Sequence, residues 1–227
     1  MKPYVICHML MSIDGRVTGS FLGERSLSEA MDLYYKINRE SSAEAFACGR
    51  VTMHESFANS KLNLENYEND INFDDFVAIK DAKRYALSFD RYGKVAWENS
   101  FIDDQDPGYI AHVIEILTRK VDKRYLSYLK KRNISYIFAG DDDLDINLAL
   151  EKLYQLFNIK TILLEGGSVI NSAFINHDAI DELSIVLVPL TGEKGDKPLY
   201  DGIEVKRYNL IKCDVYNDYI YLNYKKR

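Results

Sequence analysis

Short apolar runs alternate with amphipathic stretches of helical period along this chain, and the alternation sets the expected elements. Tyr4 to Met11 reads as a first strand, closed by Ser12-Ile13-Asp14-Gly15-Arg16. Ser26 and Glu29 form a capping-box pair, and Leu27, Met31, Tyr34 and Asn38 follow at helical spacing, so a helix is predicted there. Ala45-Phe46-Ala47-Cys48 reads as a short buried strand running into Gly49-Arg50-Val51-Thr52. Residues 58–76 are rich in Asn, Asp and Glu and predict a long surface loop. Strands are expected at Tyr85–Phe89, Ala111–Leu117 and Ile134–Ala139, the last stopped by Gly140. Asp122 can cap a helix carrying Tyr125, Leu126 and Leu129. Ile146, Leu150, Leu153, Tyr154 and Phe157 fall on one face of another helix.

Thr161-Ile162-Leu163-Leu164 predicts a strand, Glu165-Gly166-Gly167-Ser168 a turn, and Val169 to about Asn176 a helix. Leu183–Leu190 reads as a fully buried strand, and Tyr208–Cys213 with Tyr219–Tyr224 as a hairpin around Asn217-Asp218. Strands alternating with helices imply a three-layer αβα fold, with a mostly parallel mixed sheet and a C-terminal antiparallel hairpin. The last strand is apolar on both faces and asks for cover on both; a helix or a second copy of the chain could supply it.

Length and composition narrow the class. A chain of 227 residues with no repeat or linker is expected to form one domain, residues 1–227. Hydrophobic residues at 47% and charged residues at 28% suit a folded soluble protein. A net charge of −6 without a basic run argues against a nucleic-acid partner. The first apolar stretch is broken by His8, Ser12 and Asp14, so neither a signal peptide nor a membrane span is expected. Cys7, Cys48 and Cys213 are dispersed, which predicts free thiols in a reducing cytoplasm, and the scattered histidines show no metal-ligand spacing.

The candidate chemistry starts from the glycine pair. Two glycines between a strand and a helix let backbone approach a ligand, and the free N–H groups of the first helical turn favour an anion such as a phosphate. Ligands in such sheets bind beyond the carboxyl ends of the strands. Four strand ends here carry small or polar clusters: Ser12–Gly15, Gly49–Thr52, Asp90-Arg91 and Glu165–Ser168. The chain has no Gly-x-Gly-x-x-Gly, no phosphate-loop motif and no Gly-x-Ser-x-Gly elbow.

In sequence order, Ser12-Ile13-Asp14-Gly15-Arg16, Gly49-Arg50-Val51-Thr52, Asp90-Arg91-Tyr92-Gly93, Glu165-Gly166-Gly167 and Asp181-Glu182-Leu183 with Pro189 span nearly the whole chain. With these motifs the chain resembles the dihydrofolate-reductase-like superfamily, specifically the C-terminal reductase domain of bacterial riboflavin biosynthesis. The resemblance implies an NADPH-dependent reductase of a small heterocyclic substrate, usually a homodimer. By similarity, Gly166, Gly167 and Ser168, with Val169 beside them, hold the cofactor's diphosphate. Gly49 and Thr52 line the cofactor path, Gly140 adds a contact, and Arg91 meets the 2′-phosphate through its planar fork. Asp14 and Glu165 are the candidate catalytic carboxylates, able to bond an exocyclic amine or relay a proton. The alternatives are a turn former for Asp14, a solvated turn residue for Arg91 and a cap for the following helix for Glu165.

The substrate half departs from the family. An Asp-Asn-Pro stretch and an Arg are expected after Thr52, but the chain reads Met53-His54-Glu55-Ser56-Phe57, and no Arg occurs between Arg50 and Arg84. Gly23-Glu24 lacks its expected aromatic neighbour, and the zinc signature of the family's deaminase domain does not occur. A nucleotide-binding module without turnover is therefore the alternative to a reductase.

Overall fold

A computed structural model describes residues 1–103 and 110–227. In chain order its elements are β1 (Tyr4–Ser12), α1 (Ser28–Glu40), β2 (Ala45–Gly49), α2 (Arg50–Phe57), β3 (Tyr85–Phe89), β4 (Phe101–Asp103), β5 (Ile110–Leu117) and α3 (Lys123–Lys131). There follow β6 (Ser135–Phe138), α4 (Ile146–Phe157), β7 (Thr161–Leu164), α5 (Ser168–Asn176), β8 (Glu182–Val188), β9 (Tyr208–Tyr216) and β10 (Tyr219–Lys226). The chain divides into two compact units, one of Met1–Pro3 with Glu44–Lys160 and one of Tyr4–Ala43 with Thr161–Arg227.

In the first unit β2, β3, β5 and β6 run parallel in that order. The short β4 lies antiparallel against the start of β5, on the same edge that β6 takes further along. Every residue of β3 and seven of the eight in β5 are buried, so these strands are covered on both faces, as parallel strands require. Asp122 caps α3 by accepting the Arg124 N–H at 2.9 Å, as its position predicts. Tyr125, Leu126 and Leu129 then face the core, each Leu contributing about 1.5–3 kcal/mol of burial. In α4, Asp145 caps, the predicted Ile146, Leu150, Leu153 and Phe157 are buried, and Tyr154 is only half-buried.

In the second unit β7, β1 and β8 run parallel, β10 pairs antiparallel with β8, and β9 pairs antiparallel with β10. Asn217 takes positive φ in the two-residue hairpin turn. One face of this sheet packs Leu10, Val186, Val188, Tyr219 and Tyr221 against Leu27, Ala30, Met31, Tyr34 and Ile37 around α1. The α/β class, with a mixed sheet and a C-terminal hairpin, is the one the pattern predicts.

Several expectations need correction. The capping box does not form: α1 begins at Ser28 with Leu27 at its cap and no side-chain cap hydrogen bond. Short 3₁₀ turns at Ser20–Gly23 and Arg25–Leu27 lead into it, fixed by burial of Phe21 and Leu27. Gly49-Arg50-Val51-Thr52 opens the helix α2, which the pattern missed. The loop from residue 58 continues to residue 84 and carries an isolated bridge from Phe76 to Tyr136. The strand placed at Leu183–Leu190 spans Glu182–Val188, and three of its positions are only half-buried.

Candidate active site

The second unit gathers three strand ends, because β7, β1 and β8 are parallel and finish on one edge. After β1 the chain turns tightly: Ser12 N–H donates to Arg16 O at 2.9 Å and Gly15 N–H to Ser12 O at 2.9 Å. Gly15 takes φ +84°, a conformation that favours glycine. The buried Ser12 hydroxyl accepts Arg16 N–H at 2.8 Å and donates to Asp14 Oδ1 at 2.6 Å. Asp14 Oδ1 also accepts Gly192 N–H at 3.0 Å, and Arg16 Nε lies 3.5 Å from Oδ2. The Ser12 hydroxyl first, and then the Gly192 N–H, hold the Asp14 carboxyl below its ordinary range. Asp14 thus forms the turn and still presents an exposed, ionised carboxylate.

The segment after β8 straps this turn. Ile13 N–H donates to Leu190 O at 3.0 Å, Val17 N–H to Lys197 O at 2.9 Å, and Leu199 N–H to Gly15 O at 3.0 Å. Arg16 Nη1 reaches Asp196 O at 2.9 Å. At the far end of the strap, Asp201 N–H donates to Ser172 Oγ on α5 at 2.8 Å. Residues 190–201 therefore link the Asp14 turn to the helix after the glycine pair.

At that pair, Gly166 has φ +88°, and a Cβ on it would stand 2.9 Å from Met9 Cε. Gly166 and Gly167 are joined by a cis peptide bond. Gly167, at φ −75°, is the N-cap of α5; a Cβ there would meet nothing within 4 Å, and no side chain caps the helix. Ser168 is buried, whereas Val169 is 85% exposed in the first turn. Glu165 Oε1 accepts the Nδ2–H of Asn38, a residue of α1 that is 2% exposed. Asp14, Glu165 and Gly166–Val169 thus share the strand-end edge of one unit.

Gly49, Thr52, Arg91 and Gly140 all belong to the first unit. Gly49 is the N-cap of α2, without a side-chain cap bond, and Thr52 is half-buried in the first turn. Asp90 is buried and accepts the N–H groups of Val95 at 2.8 Å, of Tyr92 at 3.4 Å and of Lys94. Burial nevertheless raises the Asp90 carboxyl above its ordinary range. Arg91 is engaged: Nε donates to Asp142 O at 2.8 Å, Nη1 lies 3.3 Å from Asp143 Oδ1, and the guanidinium sits 4.9 Å from the Tyr92 ring centre. Gly140 takes φ +111°, and a Cβ there would stand 2.0 Å from Asp143 O, so glycine is needed to close this loop. Arg91 and Gly140 are thus brought together around Asp142 and Asp143. A cavity of about 730 Å³ in the same unit is lined by Lys61, Asn63, Lys94 and Arg124 among others, and none of the expected site residues lines it.

Asn38, Ser12, Ser172 and the strap were not among the expected site residues. Asn38 had a signal: it is a polar residue on an otherwise apolar helix face. Among the described residues, no His, Cys, Asp and Glu group could hold a metal ion, and no helix is long and apolar enough to cross a membrane.

Comparison with known proteins gives this geometry a relation. The family model for the RibD C-terminal domain matches residues 3–221. The 2,5-diamino-6-ribosylamino-4(3H)-pyrimidinone 5′-phosphate reductase of Methanothermobacter thermautotrophicus is 22% identical over 204 residues, covering 89% of this chain and 85% of that protein. A pyrimidine reductase-like protein of Corynebacterium diphtheriae superposes with TM-score 0.70 at 17% identity, over 99% of this chain and 92% of that one. RibD of Acinetobacter baumannii gives TM-score 0.68 at 17% identity; all of this chain is covered, but it spans only 58% of the Acinetobacter chain. The homologues are named reductases, and the solved structures share the fold expected from the five motifs. The chain belongs to the RibD C-terminal domain family.

Proposed function

We propose that this protein is an NADPH-dependent reductase that delivers hydride to a C=N or C=O carbon of an aminopyrimidine-type substrate. The mouth of α5 carries this reading: an N-terminal turn with no side-chain cap, an open direction at Gly167, and an exposed apolar Val169. Those features fit a dinucleotide, because backbone N–H groups and the helix dipole favour its diphosphate. NADPH, when bound, supplies the hydride. The chain's own residues bind, orient and exclude water.

Gly166 brings backbone close, the amides after Gly167 and the Ser168 turn receive the diphosphate, and Val169 gives apolar contact. In the first unit, Gly49, Thr52 and Gly140 are proposed cofactor contacts and Arg91 the group for the 2′-phosphate. Its ion pair with Asp143 is solvent-exposed and worth about 0–1 kcal/mol, so a phosphate can displace it. Asp14, kept ionised by Ser12 and Gly192, is the proposed acceptor for an exocyclic amine. Glu165, oriented by Asn38, is the second proposed catalytic carboxylate. The substrate named for the Methanothermobacter relative, a ribosylaminopyrimidinone 5′-phosphate, supports the substrate class.

The family model runs through both units, which supports one reductase domain over residues 1–227. A homodimer is proposed on the second sheet face of the C-terminal hairpin. There Val215 pairs with Ile220 and Cys213 with Leu222, and Val215 is 71% and Ile211 62% exposed. An uncovered apolar edge of this kind asks for a partner. The three cysteines are free, in keeping with the proposed reducing cytoplasm.

The test is to mix the protein with NADPH and a panel of ribosylaminopyrimidine phosphates and pteridines, following the absorbance of reduced nicotinamide. Oxidation with a pyrimidine is expected. Tight NADPH binding with no oxidation by any of them would favour a nucleotide-binding module instead.

A further inference from the structure

Asn171 lies in the first half of α5, four residues after the cap, and is fully buried. Among the described residues neither its Nδ2 nor its Oδ1 has a hydrogen-bond partner. Its backbone is ordinary helix, with N–H donating to Gly167 O at 3.1 Å. A side-chain amide offers two donors and an acceptor, and leaving them unmet inside a protein is costly. The neighbours Ile170 and Phe174 are buried and apolar, so the helix would pack at least as well with an apolar residue here.

The amide is aimed at the glycine turn. Nδ2 lies 3.5 Å from the point a Cβ on Gly166 would occupy, beside Met9. That point is bonded to the Gly166 Cα, so the peptide groups on either side of Gly166 are backbone polar atoms flanking the place nearest the amide. The next residue, Gly167, is the N-cap of α5, and a Cβ there would meet nothing within 4 Å. Neither glycine carries a side chain, which leaves this backbone more conformational freedom than other residues would.

We propose that Asn171 is a positioning residue of the cofactor anchor: its buried amide hydrogen-bonds the Gly166–Gly167 backbone in the ligand-bound form and fixes the amides that receive a diphosphate. The inference rests on the assignment of that turn as the cofactor anchor. Asn171 touches no ligand itself. It stays poorly satisfied in the free protein, and ligand binding supplies its missing bonds by setting the turn.

The test measures NADPH affinity by cofactor fluorescence, together with the melting temperature, for the parent, Asn171→Leu and Asn171→Ala. Leu keeps the branching of Asn and removes both polar atoms. The expected result is an NADPH Kd raised about tenfold, the order of one or two lost hydrogen bonds, in both variants. The melting temperature of Asn171→Leu equals or exceeds the parent's, while that of Asn171→Ala falls. A residue that only packs the helix would give the opposite split: Asn171→Leu binding NADPH as tightly as the parent overturns the proposal. So does an affinity loss that merely follows the loss of melting temperature across the two variants. A parent that binds no NADPH overturns the anchor assignment, and the inference with it.

Discussion

Replacing Gly167 by Asp should make the protein more stable and bind NADPH far worse. The position tolerates a side chain, since its φ is −75° and a Cβ meets nothing within 4 Å. Gly167→Ala is the reference that absorbs the backbone effect. Against Ala, an Asp at the N-cap accepts an N–H of the first turn of α5 and complements the helix dipole, which is worth about 0.5–2 kcal/mol. The same carboxylate then stands where the diphosphate is proposed to bind. Two unit charges about 5 Å apart at an effective dielectric of about 20 repel by about 3 kcal/mol, or about 100-fold in Kd at low salt. Salt should shrink the difference, because the site is open. Denaturant unfolding and NADPH titration at two ionic strengths supply both numbers. An Asp variant that binds NADPH as tightly as the Ala variant would refute the anchoring role of α5. One that is no more stable than Ala would refute the open cap.

Three further outcomes follow from other parts of the fold. Arg91→Ala should weaken NADPH about 10- to 100-fold, the cost of a charge-assisted contact, and leave NADH unchanged; equal losses for both cofactors would remove Arg91 from the 2′-phosphate. Glu115 is fully buried, accepts Trp97 Nε1–H and has its carboxyl raised well above the ordinary range, by burial first and by Asp90 second. The folded state therefore holds a proton that the unfolded chain releases, and stability falls as pH rises from the unfolded carboxyl value toward the folded one. Glu115→Gln should flatten that slope and raise the melting temperature at neutral pH; an unchanged slope would mean that another group carries it. Val215→Lys on the uncovered hairpin face should halve the mass seen by sedimentation while the monomer stays folded, and a persistent dimer would place the interface elsewhere.

The sequence made elements legible where a strong local pattern had firm boundaries. β3 matches its expected bounds because Asp90-Arg91-Tyr92-Gly93 ends a run that is apolar except at Ser88, and α3 is marked by Asp122 and the Tyr125, Leu126, Leu129 face. α2 was hidden: Val51 and Thr52 are β-branched, and Met53 is its only buried residue, so no apolar stripe announces a helix. β4 is three residues long, too short for a period. In the site, the glycine pair and Asp14 were visible because their chemistry is local. The strap was not, since its contacts to the Asp14 turn are mostly backbone hydrogen bonds that constrain residue type little. Asn38 and Asn171 each left a trace, as polar residues on apolar helix faces, and only the fold shows what each amide faces.

A crystal structure with NADPH bound tests the role of the α5 mouth most directly. Diphosphate oxygens are expected within hydrogen-bond distance of the Ser168 and Val169 N–H groups, with the Gly167 side of the turn against the ligand. Cofactor density away from the start of α5, with that turn covered by the protein's own side chains, would contradict it.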